Sequence, residues 1–222
     1  MELADVLARR RMVRRYDPGT PVAAEALEAV LAAALRAPSA GFTQGVSLLV
    51  LDQPAQRERF WASTEPVPRG DDPPHPPPAV PVAGAPETRP NRWLDGMRTA
   101  PVLVLVLTSR EAYLDRYAET DKGWTDRDED RWSAPYWFVD AGMAAMAMLL
   151  RAVDLGLGAC FFGVPVDRVE AVHAGFGVPA DRLSVGVVSL GHAAADVVPG
   201  SRGSPARRGR RPVEELVHRG TW

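Results

Sequence analysis

Apolar positions along the chain fall into two spacings, and each spacing predicts an element. Leu3, Val6 and Leu7 recur at helical intervals and predict a short helix over 2–10. Leu27, Val30, Leu31 and Ala34 share one face of a second helix over 23–36. It stops at Ala37-Pro38, because proline disfavours helical geometry in the residue before it. Residues 46–51 read as a buried strand, and 54–62 as a helix carrying Phe60 and Trp61. Residues 101–107 run Pro-Val-Leu-Val-Leu-Val-Leu, and this continuous apolarity predicts a strand covered on both faces. Residues 109–118 read as a helix, and 119–131 as a charged, solvated stretch. The segment 134–154 is apolar nearly all round, which places a helix at the centre of its fold or against a partner. Gly156-Leu157-Gly158 ends it. A short strand over 159–162, a helix over 166–174 and a strand over 183–190 follow. Helices and strands mixed in this order predict a layered α+β or α/β fold.

Two segments break the pattern. Residues 66–90 are too rich in proline for regular helix or a central strand, and read as an insertion or lid. Residues 201–222 are basic and then amphipathic, and read as a C-terminal arm. A length of 222 residues otherwise predicts a single domain over 1–222. With 46% hydrophobic and 24% charged residues the composition is that of a soluble globular protein. A net charge of −2 gives no indication of bulk nucleic-acid binding. The start of the chain has acidic Glu2 and Asp5 and no long apolar run, so no secretory leader is expected. The apolar segment at 134–150 contains Asp140 and is short for a membrane span. A membrane is therefore not expected, and a cytoplasmic location is.

Several chemistries lack their residues. Lys122 is the only lysine among 26 basic residues and follows Asp121 rather than glycine, so a phosphate-binding loop of the Gly-Lys type is excluded. Cys160 is the only cysteine; it excludes an intrachain disulfide, and its apolar neighbours make it a core residue. His75, His173, His192 and His218 have no metal-ligand spacing, and no metal is expected. Phe161 stands where a dinucleotide fingerprint beginning at Gly156 needs glycine, and no serine sits in a nucleophile elbow. What remains is basic: Arg10, Arg11, Arg14 and Arg15 near one end, and Arg202, Arg207, Arg208, Arg210 and Arg211 near the other. Arginine suits bidentate recognition of phosphate. Two solvated basic loops account for the same pattern. A nucleic-acid surface fits less well, since only Tyr16 is interleaved with the arginines.

These residues carry a family resemblance. Arg10-Arg11-Met12-Val13-Arg14-Arg15-Tyr16-Asp17 resembles the opening signature of the FMN-dependent nitroreductases, R-R-S-x-R-x-F. Ala37-Pro38-Ser39-Ala40-Gly41-Phe42-Thr43-Gln44 resembles their second signature, A-P-S-x-x-N-x-Q-P-W. Asp140-Ala141-Gly142 with Leu155-Gly156-Leu157-Gly158-Ala159-Cys160 is similar to the central helix and its exit. Arg210-Arg211-Pro212 through His218 is similar to the C-terminal arm. The resemblance implies an α+β fold, a three-layer α/β/α sandwich with a mostly antiparallel sheet, forming an obligate homodimer with FMN in two interface clefts. It further implies hydride transfer from NADH or NADPH through flavin N5 to a small, flat, electron-poor acceptor, nitroaromatic or quinone-like, in ping-pong order. Dehydrogenation, dehalogenation or flavin cleavage on the same fold, or a non-catalytic flavin-binding module, remain alternatives.

By that resemblance Arg10, Arg11, Met12 and Arg14 would meet the FMN phosphate, ribityl chain or pyrimidine edge, with Arg208 and Arg210 adding phosphate contacts. Pro38, Ser39 and Ala40 would line the flavin of the other subunit, and Asp140 would add a polar contact. Phe161, Phe162, Gly163 and Val164 would sit beside the ring, with the Gly163 N–H directed at N5 as the catalytic donor. Trp124, Trp132 and Tyr136 would shape the substrate site. Local structure offers other roles. Arg11 and Arg15 have carboxylates nearby to pair with, Ser39 suits a turn, Asp140 suits a helix cap, and Phe161, Phe162 and Trp137 suit a core. The chain also departs from the signatures. Met12 replaces serine, Phe42 stands where asparagine is common, and Gly45-Val46 replaces Pro-Trp. Asn91 and Arg92 are the candidates for the missing mid-chain asparagine.

Overall fold

The computed structural model describes residues 1–65, 92–197 and 209–222. The proline-rich insertion, Asn91, the Arg92 side chain, Arg202, Arg207 and Arg208 lie outside the described residues. Among the described residues four strands form one antiparallel sheet in the order β1-β2-β4-β3: β1 (Val46–Leu51), β2 (Val102–Thr108), β3 (Gly158–Phe162) and β4 (Leu183–Gly191). Seven helices are described: α1 (Leu3–Arg9), α2 (Ala24–Leu35), α3 (Pro54–Thr64), α4 (Arg92–Arg98), α5 (Arg110–Ala118), α6 (Tyr136–Asp154) and α7 (Val169–Phe176). The expected 166–174 helix divides into a 3₁₀ turn, Val166–Arg168, and α7. Helix α4 and a 3₁₀ turn at Ala40–Phe42 are additions to the expected elements.

Strand β2 shows why its sequence is apolar throughout. Successive side chains of a strand point to opposite faces. Val102, Val104 and Val106 enter one core with α2 and α6, while Leu103 and Leu105 enter another with Phe60, Trp61 and Val172. The sheet is thus covered by helices on both sides, giving three layers. Helix α6 is long and apolar enough to cross a membrane by composition, yet one of its faces is part of the core against α2 and the sheet. Ala141, Ala144, Ala145 and Met148 are buried, while Phe138, Val139, Met143 and Met146 on its other side are exposed. The all-round apolarity of the sequence therefore divides into a packed face and a bare one.

The basic segment after α1 is held on the edge of the sheet by β3. The Val13 N–H donates to the Ala159 carbonyl at 2.9 Å, and Met12 bridges Ala159 in parallel. Buried Tyr16 fixes the far end. Its hydroxyl donates to the Val13 carbonyl at 2.6 Å and shares a hydrogen bond with Ser189 Oγ at 2.7 Å. The Tyr16 N–H donates to Thr99 Oγ1 at 2.9 Å, just beyond α4. Burial pushes the Tyr16 phenol well above its ordinary pKa, so it stays protonated and can donate.

The segment fits because its neighbours are glycines. A Cβ on Gly96 would lie 2.3 Å from the Arg14 carbonyl oxygen, and one on Gly158 would lie 2.9 Å from the Val13 side chain. The Gly96→Ala variant must therefore displace a backbone rather than a flexible side chain. Equilibrium urea unfolding should show a loss of about 1–3 kcal/mol. An unchanged unfolding midpoint would show that α4 does not hold the Arg14 segment.

Candidate functional site

Pinning residues 12–16 sets Arg11 beside Gly158 and Ala159 and Arg14 near Cys160 of β3, with Arg10 at the end of α1. Arg10, Arg11 and Arg14 make no ion pair among the described residues, and Arg14 reaches only the Met12 carbonyl, at 3.5 Å. Arg15 differs: it pairs with Asp196 at 2.6 Å. The surface-pair reading thus holds for Arg15 and finds no partner for Arg11. Three guanidiniums on and beside this held segment, with no ion pair among the described residues, are a donor set for an anion such as a phosphate.

Strand β3 leaves the sheet at the residues expected to flank a flavin. Phe161 lies on the α2–α6 side, where it packs against the core with Met12, and its N–H approaches Met12 Sδ at 3.5 Å. Phe162 faces the opposite layer, its ring stacked on Trp61 at 5.8 Å and 9°. Its side chain is a core residue in this chain. Gly163 is exposed, and its N–H has no acceptor among the described residues. Val164 is partly buried beside the second core.

A second group forms where the 38–44 loop meets α5 and α6. The Asp140 carboxylate is 2% exposed. Its Oδ2 accepts from the Ala40 N–H at 2.7 Å and from the Tyr113 hydroxyl at 2.6 Å. Asp140 lies within the first turns of α6 but does not cap it; it ties the loop to the helix. Burial, and then the bond to Asp140, raise the Tyr113 phenol far above its ordinary pKa. Arg116, one turn on, donates through Nε to the Gly41 carbonyl at 2.8 Å and grips Asp121 with both terminal nitrogens at 2.6 and 2.7 Å. Ser39 Oγ accepts from the Gln44 N–H at 3.0 Å, the turn role open to it from sequence. Tyr113 and Arg116 did not stand out in the sequence. Their signal was the i, i+3 spacing that puts both on one face of α5.

The expected substrate aromatics occupy a third place. Trp124 and Trp132 pack on each other at 5.1 Å, both pack on Tyr117, and Trp132 meets Trp137 at 5.9 Å. Arg131 lies over Trp124 and Lys122 over Tyr117. These rings bind the charged 119–131 stretch to α5 and α6, and Trp137 is buried. Tyr136, at the start of α6, is partly buried. Arg210 is exposed at the head of the C-terminal arm.

The chain therefore brings Met12 against Phe161, with Arg11 beside Gly158 and Ala159 at the start of β3, and separately groups Ser39, Ala40 and Asp140. No hydrogen bond or ion pair joins the two groups among the described residues. An open cavity of about 250 Å³ lies beside the first group, lined by Arg9, Arg11, Val13, Leu157 and Gly158 among others. That is below the roughly 300–1,000 Å³ of an enclosing ligand pocket. Removing the Asp140 carboxylate should leave two donors unsatisfied. Asp140→Ala is expected to lose about 2–5 kcal/mol in chemical denaturation, and Tyr113→Phe about 1 kcal/mol. Equal losses for the two would contradict a shared acceptor at Asp140.

Comparison with known proteins bears on the family and the fold. A model described as the nitroreductase family matches residues 7–192. A Methanothermobacter thermautotrophicus relative, whose name is that of an NADH dehydrogenase/NAD(P)H nitroreductase, is 39% identical over 69 residues. That match covers 30% of this chain and 35% of the relative, so the chain spans about a third of its length. A structure from Desulfovibrio desulfuricans, solved in complex with FMN, superposes with a TM-score of 0.66 at 24% identity. It covers 100% of this chain and 98% of its own. The NfrA1 nitroreductase of Bacillus subtilis superposes with a TM-score of 0.69 at 14% identity, over 99% of this chain and 74% of its own. The two superpositions show a shared fold. The family match extends over most of the chain, from within α1 to the end of β4, and the chain belongs to the nitroreductase family.

Proposed function

We propose that the protein is an FMN-dependent oxidoreductase, acting as a homodimer on a small, flat, electron-poor acceptor with NADH or NADPH as donor. The observation that carries this reading is the fixed basic segment. Arg10, Arg11 and Arg14 have no acidic partner among the described residues, Arg11 and Arg14 stand beside β3, and the Gly163 N–H just past its end has no acceptor among the described residues. A phosphate needs the first feature, and a ring that gains negative charge on reduction needs a donor like the second. Bound FMN would supply the redox chemistry, accepting hydride from the nicotinamide and passing reducing equivalents on, one substrate leaving before the next enters.

The chain's own residues position and shield. Arg10, Arg11 and Arg14 would hold the phosphate and ribityl end, with Arg208 and Arg210 closing on it from the arm. The Met12 side chain would pack beneath them, where the family signature has a hydroxyl. The Gly163 N–H would donate to the ring edge at N5. Phe161 and Val164 would border the ring, while Phe162 would support the turn from the opposite core. Pro38, Ser39 and Ala40 would approach from the second subunit. Asp140 would act by fixing that loop instead of touching the flavin.

Four features support a dimer. The two residue groups are not joined within one chain, and the cavity beside the arginines is open. Helix α6 leaves Phe138, Val139, Met143 and Met146 exposed on one side. The C-terminal arm exposes Val213, Leu216, Val217 and Trp222. Apolar surface gathered on one central helix marks an interaction site.

Arg10→Ala combined with Arg14→Ala should weaken FMN binding about 10-fold to 100-fold, read by fluorescence titration of the apoprotein. Unchanged affinity would place the phosphate elsewhere. Met143→Glu puts a charge on the bare face of α6. Sedimentation should show it shifted to monomer with loss of bound flavin, and a variant that stays dimeric would move the interface off α6.

A further inference from the structure

We infer that Phe42 is the aromatic wall of the acceptor site and selects flat substrates. The inference rests on the proposed flavin reading and adds to it a specificity-determining residue. Phe42 has φ of 55°, in the left-handed region, and is 74% exposed. A bulky side chain in that region is a genuine outlier. Such a conformation persists only where its surroundings over-determine it, and it concentrates at working sites. Here the surroundings do so. Asp140 holds the Ala40 N–H, Arg116 holds the Gly41 carbonyl, and Ser39 holds the Gln44 N–H. Gly41 lies so close to the Tyr117 ring that a Cβ there would come within 2.8 Å of it, which blocks the loop from settling inward.

The strain yields no packing within the chain. The Phe42 ring enters neither core and makes no ring contact among the described residues. Its backbone is held while its ring is exposed, on a loop anchored at the end of α6 that bears exposed Phe138 and Val139. If the loop approaches the flavin of the second subunit, Phe42 is the aromatic side chain that it delivers. Trp124 and Trp132 pack on each other and on Tyr117 instead. The ligand chemistry that fits an outward aromatic face is a flat, electron-poor ring such as a quinone.

The test uses the FMN-loaded protein and two variants. Phe42→Leu keeps an apolar side chain and loses the ring. Phe42→Gly also relieves the left-handed backbone. For each, kcat/KM is measured with menadione and with ferricyanide, alongside Tm and sedimentation. The expected result is a fall of about fivefold to tenfold in the menadione-to-ferricyanide ratio for both variants. The dimer is retained, and Tm for Phe42→Gly stays equal or rises. A purely structural role predicts a lower Tm with the ratio unmoved. An unchanged ratio overturns the inference, as does a fall that tracks dissociation into monomers. A parent protein that binds no flavin overturns the underlying reading together with it, whereas a flavin-loaded parent with insensitive variants overturns the Phe42 assignment alone.

Discussion

The buried Tyr16 hydroxyl is the contact on which the rest depends. It donates to the Val13 carbonyl and shares a hydrogen bond with Ser189 Oγ, so a side chain closes the basic segment onto β4. A run with four arginines in six residues would otherwise repel itself into solvent. Held by Tyr16 from above and by the Val13–Ala159 backbone bond from below, it keeps three cations on a fixed frame. With no ion pair among the described residues, these cations are available to an arriving anion. The polar atoms that hold the frame are themselves paired, which is what allows them to be buried.

A second constraint runs through Asp140. Its carboxylate faces two donors from distant parts of the chain, the loop after α2 and helix α5. A carboxylate so placed cannot be removed without stranding both, and it sits on the helix whose other side is bare. The loop position, the packed face of α6 and its exposed face are therefore set by one element. No hydrogen bond or ion pair joins the basic frame to the loop among the described residues, and the proposed dimer through α6 is what would bring them to one ligand.

Much of this was legible in the sequence. The alternating burial of β2 explains its unbroken apolar run, and the edges of β1, α2 and α6 fall within two residues of the pattern. Helix α4 escaped notice because seven residues beside a proline-rich stretch give too short a period, and its key residue, Gly96, works by having no side chain. The sequence pointed to Trp124 and Trp132 as substrate contacts and did not reveal that they pack on each other and on Tyr117. The bonds that Asp140 accepts were hidden for a related reason: its partners Tyr113 and Ala40 lie 27 and 100 residues away. Alternation along a strand is local and readable, whereas a long-range hydrogen bond leaves no periodic trace.

The central claim is that the basic frame holds a flavin phosphate, and the absorbance spectrum of the purified protein tests it most directly. The account predicts bands in the near-ultraviolet and blue, and FMN released on heating at roughly one per chain. A colourless protein that also fails to take up added FMN would contradict it, and would leave the three arginines without the ligand that explains them.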